Sequence, residues 1–248
     1  MSKKSTIVVK VGTSTLLSSS DLPSATFGNV AQSIKELANN YNVVLVTSGA
    51  IGFGVRHVGL DHRPIGLHKL QALSMIGQVG LLRQWREAFG EVTVGQMLVT
   101  RHDLVSSGTA ELFRDSVAEL WEYNALPIVN ENDAVSTEEI SFGDNDQLAA
   151  EVAVVLQAEK LVILTDQDGI QANFGTENQH RLASIRVDEA DQYITVAASA
   201  HGTGGASSKI QAARIALAGG VEVYIAKASE SNSIEQALSG ATGTKVVQ

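Results

Sequence analysis

A lysine lies inside the most apolar stretch of the N-terminal region, where another Val or Ile would be expected. Lys10 is part of IVVKVGTST, residues 7–15, and Ile7–Val11 has the composition of a buried strand in a parallel sheet. Because an ammonium group without a partner is costly to bury, Lys10 must either reach the surface or meet an anion. Gly12 then opens a small turn that is rich in hydroxyl groups.

A second lysine ends a glycine- and hydroxyl-rich stretch near the C-terminus. Lys209 is the last residue of HGTGGASSK, residues 201–209, which runs into a predicted helix over Ile210–Leu217. Backbone amides without side chains, a helix N-terminus and a lysine together can cradle a phosphate group. The pattern differs from the Walker sequence because Ser207 and Ser208 precede the lysine, and a flexible turn explains such a loop equally well.

A row of acids begins a predicted amphipathic helix in FGDNDQLAAEVA, residues 142–153. Asp144 followed by Gln147 fits a capping box, which gives Asp144 a structural explanation. One cap needs only one carboxylate, however, and Asp146 lies close behind, separated by Asn145. Neighbouring carboxylates repel unless a cation lies between them. The two lysines described above are the candidate cations.

Small, polar or acidic residues follow four predicted strands, at the sheet edge where open α/β folds bind ligands. These residues are Gly12, Thr13 and Ser14; Thr47, Ser48, Gly49 and Ala50; Asn130, Asn132 and Asp133; and Thr165 and Asp166. Taken singly, each has a structural explanation, since Ser48 and Gly49 could form a turn and Asp133 could cap a helix. Their concentration at one edge predicts a binding site.

The lysines and the acidic row together indicate phosphoryl transfer. That reaction needs the phosphate held in line with its nucleophile and the charge on its oxygens stabilised. Lysines from the first strand and from the late glycine-rich turn could supply charge from two sides, with a carboxylate between them. We therefore infer that Lys10 lies at the end of its strand to meet phosphate.

Strands alternate with helical patterns along the chain, which indicates an α/β fold, an αβα sandwich around a mainly parallel sheet. The predicted strands are Ile7–Val11, Val43–Thr47, Val92–Val99, Leu126–Val129, Leu161–Thr165 and Val221–Ile225. Leu67–Phe89 is either one long helix or two, broken near Gly77 or Gly80. The polar segment 171–181 is predicted to be an exposed loop. With no linker or repeat, one domain over residues 1–248 is the economical interpretation.

The composition argues against several classes of protein. The 248 residues are 44% hydrophobic and 18% charged, and the formal net charge is −9. This acidic balance argues against a general nucleic-acid or anionic-membrane binder. The sequence contains no cysteine, which excludes disulfides and thiolate metal sites and suits a reducing cytosol. Neither a secretory signal nor a bilayer-spanning segment is predicted, so we expect a cytoplasmic protein.

Seven segments resemble the glutamate 5-kinases of the amino acid kinase family, and they occur in the order typical of that family. They are VVKVGTS, VVLVTSGAIGFG, GQMLVTR, LPIVNENDAVS, FGDNDQLAAEVA, LTDQDG and GTGGASSK, which span residues 8–209. The resemblance implies an αβα sandwich that transfers the γ-phosphate of ATP, with Mg²⁺, to the side-chain carboxylate of L-glutamate. The product, L-glutamyl 5-phosphate, begins proline biosynthesis.

The resemblance also implies roles for particular residues. Lys10 and Lys209 correspond to the two lysines that stabilise the transferring phosphoryl group, and Asp146 to the aspartate that orients them. Glutamate is expected at Ser48, Gly49, Asp133, Asp144 and Asn145. The nucleotide is expected at Lys10, Gly12, Thr13, Thr165, Asp166, Thr203, Gly204, Gly205, Ala206, Ser207, Ser208 and Lys209. No histidine belongs to a catalytic motif, and no protein side chain is predicted to bind the metal.

The chain departs from the family pattern in three respects. The family usually has Met and Thr where this chain has Ala206 and Ser208, which predicts a change in nucleotide affinity or base preference. After LTDQDG the chain reads IQANFGTENQ, so no nucleotide contact is carried over from that loop. Many members carry a C-terminal RNA-modification-like (PUA) domain, which we expect to be absent because the sequence ends at Gln248.

The resemblance further suggests a homo-oligomer (a dimer or a tetramer), feedback by proline at the glutamate site, and a glutamate 5-phosphate reductase that takes up the product. Two alternatives stay open. One is another amino acid kinase, acting on acetylglutamate, aspartate or carbamate, although VNENDAV favours free glutamate. The other is a non-catalytic amino-acid sensor of the same fold. Retention of Lys10, Asp146 and Lys209 argues against a sensor, because a charged triad without its anion is costly.

Overall fold

The computed structural model describes residues 4–17, 25–136, 145–193, 206–229 and 232–248. Within these ranges, strands and helices alternate from the N-terminus onwards. The strands are β1 (Thr6–Val11), β2 (Asn42–Val46), β3 (Val94–Val99), β4 (Leu126–Glu131), β5 (Lys160–Thr165), β6 (Gln171–Ala172), β7 (His180–Arg181), β8 (Ser184–Arg186), β9 (Glu222–Lys227) and β10 (Thr244–Val247). The helices are α1 (Thr13–Leu16), α2 (Ala25–Leu37), α3 (Ala50–Val58), α4 (Leu67–Phe89), α5 (Arg101–Val105), α6 (Ser107–Glu122), α7 (Asp146–Val155), α8 (Ala206–Ala218) and α9 (Ser233–Leu238).

Eight of the described strands form one sheet, in the order β3-β4-β2-β1-β5-β9-β10-β8. The first six strands in that order are parallel, whereas β10 runs antiparallel to β9 and pairs in parallel with β8. The register places Lys10 of β1 beside Val46 of β2 and Ile163 of β5. Since the chain continues to β2 on one side and β5 lies on the other, the carboxyl end of β1 is a topological switch point, where such sheets bind ligands.

Helices cover both faces of the sheet, and each face has its own apolar core. One core joins Val8, Val46 and Ile163 of the central strands to α6, α7 and α8. The other joins residues of the opposite parity, such as Val9 and Leu45, to α2, α4 and α9. Successive side chains of a strand point to opposite faces, which explains this division. The αβα sandwich predicted from the sequence is therefore confirmed.

The predicted strands and helices are confirmed in type and order, with bounds that differ by a few residues. β3 begins at Val94 rather than Val92, because the Val92 amide donates to the Phe89 carbonyl at the end of α4. Leu67–Phe89 is one unbroken helix. Asp144, for which a capping box is predicted, lies outside the described residues. No helix in the described part of the chain is long and apolar enough to cross a membrane.

The segment predicted to be an exposed loop over 171–181 is in part a small hairpin, so that prediction was wrong in this respect. β6 and β7 pair antiparallel at its two ends. The guanidinium of Arg181 donates to the carbonyl oxygens of Gly243 and Ala241 and lies 3.6 Å from Oδ2 of Asp168. These contacts reach a distant part of the chain, which a local polar composition cannot indicate.

Two glycines bring the backbones of α3 and α4 into contact. A Cβ atom at Gly54 would lie 2.0 Å from the carbonyl oxygen of Leu73, and one at Gly77 would lie 1.8 Å from the carbonyl oxygen of Ala50. Because the opposing atoms belong to backbone, no flexible side chain can move aside to make room. Gly77 therefore marks a helix contact rather than a helix break, and it fixes the N-terminus of α3 directly behind the end of β2.

We predict that Gly77→Ala lowers the free energy of unfolding by about 3 kcal/mol or more, since overpacking costs about 1–3 kcal/mol even where side chains can adjust. Gly108→Ala in α6 is the matched control, because a Cβ there meets nothing within 4 Å. Urea denaturation of both variants measures the difference. A Gly77→Ala protein as stable as the control would contradict the close contact between α3 and α4.

Candidate active site

Lys10 does not reach the surface but meets an anion inside the protein. By strand alternation its side chain points to the same face as Val8, towards α7, and it is 1% exposed. Its Nζ atom forms an ion pair with Oδ1 of Asp146, the first residue of α7. The Asp146 side chain is fully buried.

Lys209 reaches the same carboxylate from the first turn of α8. Its Nζ atom lies 3.1 Å from Oδ2 of Asp146, and its side chain is 13% exposed. The neighbouring hydroxyl of Ser208 donates to that same oxygen, also over 3.1 Å. Side chains of β1, α7 and α8 therefore converge on one carboxylate at the carboxyl edge of the sheet.

Among the described residues, two ammonium groups lie beside this one carboxylate, so positive charge exceeds negative charge in this group of side chains. In a nearly dry site this charge is only weakly screened, so an anion that binds between Lys10 and Lys209 is strongly favoured. A transferring phosphoryl group carries such charge on its oxygens, and fixed ammonium groups stabilise it without reorganising. The arrangement can therefore support phosphoryl transfer.

A chain of side-chain amides ties the N-terminus of α7 to the sheet. Nδ2 of Asn145 donates to the carbonyl oxygen of Thr47 and to Oδ1 of Asn130, over 2.7 Å in each case. Asn130 in turn donates to Oε1 of Gln78 over 2.7 Å, and Nε1 of Trp85 donates to the Thr47 hydroxyl over 2.8 Å. Asp146, the next residue along the chain, is thereby held in place.

Gln78 and Trp85 were not among the residues predicted for the site. Both lie on α4, a stretch that the sequence predicts only as one long helix or two. The one available signal is that a buried indole usually needs an acceptor for its N–H group, so Trp85 could have been expected to meet a polar atom.

The turns after β1 and β2 lie side by side. Gly49 has φ +108°, a left-handed conformation that favours glycine, and it starts α3. A Cβ at Gly49 would lie 3.9 Å from Cγ2 of Thr13, and one at Gly12 would lie 3.4 Å from Nζ of Lys10. The hydroxyl of Ser48 is buried and has no hydrogen-bond partner among the described residues. An unsatisfied buried hydroxyl at this edge is suited to a ligand.

The two aspartates of LTDQDG have different surroundings. Asp166 is exposed at the end of β5 and accepts a hydrogen bond from the Thr165 hydroxyl over 3.0 Å. Asp168 accepts from the backbone amide of Gly243 over 2.8 Å and so anchors the neighbouring hairpin. Of the two, Asp166 has the more exposed side chain and lies directly after β5 at the carboxyl edge of the sheet.

Asp133 is a partly buried carboxyl group in the loop after β4. Burial raises its pKa from 3.8 to about 6, and the nearby guanidinium of Arg63 opposes this rise. The ionised form of Asp133 is therefore less stable than that of an ordinary aspartate. A cation beside the carboxylate would stabilise this form.

Glu131 is a buried carboxyl group that the sequence analysis did not single out. Glu131 is 3% exposed, and burial raises its pKa from 4.5 to about 7. The charge of Asp133 raises this pKa further, whereas the Ser136 hydroxyl and the Arg101 guanidinium lower it. Arg101 already donates to Oε1 of Glu151 over 2.9 Å, so its charge is shared. Strand alternation could have shown that Glu131 points to the same interior face as Val129.

The predicted site residues thus fall into three groups. Those in direct contact are Lys10, Asp146, Ser208 and Lys209. Those at the ends of neighbouring strands or the start of a helix are Gly12, Thr13, Ser48, Gly49, Asp133, Asn145, Thr165, Asp166, Ala206 and Ser207, the last of which is exposed. Asp144, Thr203, Gly204 and Gly205 lie outside the described residues. In the described ranges no group of three or more His, Asp or Glu side chains could hold a metal ion.

Comparison with known proteins identifies the family of this chain. The model of the amino acid kinase family matches residues 5–227. The chain therefore belongs to the amino acid kinase family. Within that family, a glutamate 5-kinase from Gloeobacter violaceus is 40% identical over 248 aligned residues, covering 96% of this chain and 67% of the relative. One from Clostridium acetobutylicum is 36% identical and covers 96% and 92% respectively.

Solved structures of lower identity share the fold. The carbamate kinase from Giardia lamblia bound to AMP-PNP has a TM-score of 0.68 at 16% identity, covering 100% of this chain and 99% of that one. The UMP kinase from Ureaplasma parvum has a TM-score of 0.65 at 14% identity, covering 99% of this chain and 100% of that one. At these identities the likeness concerns the fold alone.

The raised pKa of Glu131 predicts a pH-dependent cost to stability. The folded state holds the proton until about pH 7, whereas the unfolded chain loses it near the ordinary value of 4.5, so ionisation destabilises the fold as pH rises. Glu131→Gln should therefore be more stable than wild type at pH 8, by on the order of 1 kcal/mol, and little different at pH 5.

Urea denaturation at both pH values tests this prediction, with Glu122→Gln as the control because Glu122 is exposed at the end of α6. A stability difference of the same size at pH 5 and pH 8 would show that ionisation of Glu131 has no part in it.

Proposed function

We propose that this chain transfers the γ-phosphoryl group of ATP to the side-chain carboxylate of free L-glutamate. The product is L-glutamyl 5-phosphate, and the reaction is the first step of proline biosynthesis. The observation that carries the proposal is the convergence of Lys10 and Lys209 on Asp146 at the switch point of the sheet. The glutamate 5-kinases, at 40% and 36% identity, indicate which substrate this chain takes.

The chemistry of this reaction needs charge stabilisation rather than a general base. A glutamate side chain has a pKa of about 4.3, so its carboxylate is already a nucleophile at neutral pH. One carboxylate oxygen forms a bond to the γ-phosphorus, the bond from that phosphorus to the β,γ-bridging oxygen breaks, and ADP leaves with the electron pair. The difficulty is that one anion attacks another, and the two lysines relieve it.

The glutamate side of the site comprises Ser48, Gly49, Asp133, Asp144 and Asn145. The buried Ser48 hydroxyl and the backbone at Gly49 provide donors for a carboxylate. Asp133 provides a negative charge for the substrate ammonium group, which would offset the cost of ionising this partly buried carboxyl. Because both Nδ2 hydrogens of Asn145 are used within the protein, its contact with glutamate would be through Oδ1.

The nucleotide side comprises Lys10, Gly12, Thr13, Thr165, Asp166, Lys209 and the stretch from Thr203 to Ser207. The residues present fit a polyphosphate, because two ammonium groups and the N-terminus of α8 face one region. Mg²⁺, when bound with ATP, would neutralise phosphate charge. We expect its ligands to be phosphate oxygens and water.

We extend the proposal to the assembly and setting of the protein. A homo-oligomer, dimer or tetramer, is supported by the exposure of Met75, Ile76 and Val79 on α4, at 56%, 42% and 74%. Proline would act as a feedback inhibitor at the glutamate site, and a glutamate 5-phosphate reductase would take up the product. The cysteine-free sequence supports a cytoplasmic location, and one kinase domain over residues 1–248 would carry catalysis.

The test is formation of γ-glutamyl hydroxamate in hydroxylamine, with ATP, Mg²⁺ and glutamate, and with aspartate and acetylglutamate in parallel. We expect product from glutamate alone. Lys10→Ala and Lys209→Ala should each lower kcat by about 100- to 1000-fold and leave the KM for glutamate within about threefold, since each removes charge that acts in the transition state.

Lys69→Ala is the control for these lysine variants, because Lys69 is exposed on α4, and circular dichroism checks that each variant folds. A Lys10→Ala enzyme with unchanged kcat would overturn the role of that lysine. A folded wild type that binds glutamate calorimetrically but gives no hydroxamate with any of the three substrates would be a sensor instead.

Asp133 predicts how glutamate affinity depends on pH. Its pKa of about 6 means that the side chain loses its charge as pH falls through that value, while the substrate ammonium group keeps its own. The KM for glutamate should therefore rise by up to about tenfold per pH unit below pH 6. Asp133→Asn should raise the KM at pH 8 and remove this dependence. An identical KM profile in the variant would contradict the assignment.

A further inference from the structure

The hydroxyl of Ser208 binds the catalytic carboxylate rather than facing outwards. Oδ2 of Asp146 accepts from two consecutive residues of α8, the Ser208 hydroxyl and the Lys209 ammonium group, each over 3.1 Å. Ser208 is the third residue of α8, and its hydroxyl bonds to a side chain of α7. The resemblance to known kinases, in contrast, assigns Ser208 to the nucleotide.

The Ser208 hydroxyl matters because the two hydrogen bonds to Oδ2 of Asp146 change differently during the proposed reaction. Lys209 must direct its N–H groups towards the phosphoryl oxygens as negative charge develops there. A fully buried carboxylate oxygen that loses a donor keeps the cost of its desolvation without the hydrogen bond that offsets it. A hydroxyl on the same oxygen takes no part in binding phosphate and can remain in place throughout.

The hydroxyl also fixes the plane of the carboxylate. Oδ1 of Asp146 pairs with Lys10, and Oδ2 faces α8, so rotation of the carboxylate would change the separation of the two ammonium groups. A Lys side chain is flexible and cannot set that plane alone, whereas the short side chain of Ser208 has a single rotatable bond to its oxygen.

We propose that Ser208 is a positioning residue for phosphoryl transfer: its hydroxyl holds Oδ2 of Asp146 and keeps a hydrogen bond on that oxygen while Lys209 turns to the phosphoryl group. The proposal rests on the proposed function and deepens it. It gives this serine a role in turnover and none in nucleotide affinity.

The experiment compares Ser208→Ala, Ser208→Thr and Ser208→Val in the full chain. Thr and Val have nearly the same shape and differ in the hydroxyl, so this pair isolates the hydrogen bond from packing at the start of α8. We expect Ser208→Ala and Ser208→Val to lower kcat by about 10- to 100-fold, the usual effect of removing a partner that orients a site residue. The KM for glutamate and the calorimetric Kd for ATP should stay within about twofold, and Ser208→Thr should restore kcat.

Several results would overturn the proposal. A rise in the Kd for ATP with unchanged kcat in Ser208→Ala would assign the hydroxyl to the nucleotide. Equal kcat in Ser208→Thr and Ser208→Val, whether high or low, would show that shape and not the hydroxyl matters. An inactive wild type would overturn the proposed function and with it the role in turnover, whereas an active wild type with an unaffected Ser208→Val variant would overturn the role of Ser208 alone.

Discussion

The ion pair between Lys10 and Asp146 is the interaction on which the rest of the site depends. Both side chains are almost completely buried, at 1% and 0% exposure, and taking two charges out of water costs several kcal/mol for each. Their attraction offsets that cost only when further hydrogen bonds satisfy the remaining atoms, and α8 supplies these through Ser208 and Lys209. These contacts around Asp146 therefore constrain the relative arrangement of β1, α7 and α8, and with it the packing of the apolar elements around them.

The apolar layers in turn make the charged centre rigid. Each face of the sheet has its own core, and α7 belongs to the core that also contains Val8, two residues before Lys10 on the same face. The amide chain through Asn145 and Asn130 fixes the end of α7 that the core does not reach. Charges held in this way need little reorganisation when a phosphoryl group arrives, which is the main source of electrostatic catalysis.

The sequence was sufficient for features that depend on local pattern or on residue type. Strand periodicity predicts the sandwich, and a lysine in a buried strand together with a row of acids predicts the charged centre. The amide chain from Gln78 to Thr47 could not be predicted, because several donors and acceptors compete in each loop and tertiary contact decides between them. The same holds for the two aspartates of LTDQDG, which are two residues apart. Tertiary contacts with Gly243 and Arg181 distinguish Asp168 from Asp166.

The contact between α3 and α4 has a consequence for communication across the molecule. The inner face of α4 meets the N-terminus of α3 at Gly77 and bonds to Asn130 through Gln78, whereas its outer face exposes Met75 and Val79. Closely packed backbones transmit strain, so a displacement of α4 would also displace the turn that starts α3. A molecule that binds the outer face of this helix would therefore act on the turn that carries Ser48 and Gly49 without touching that turn.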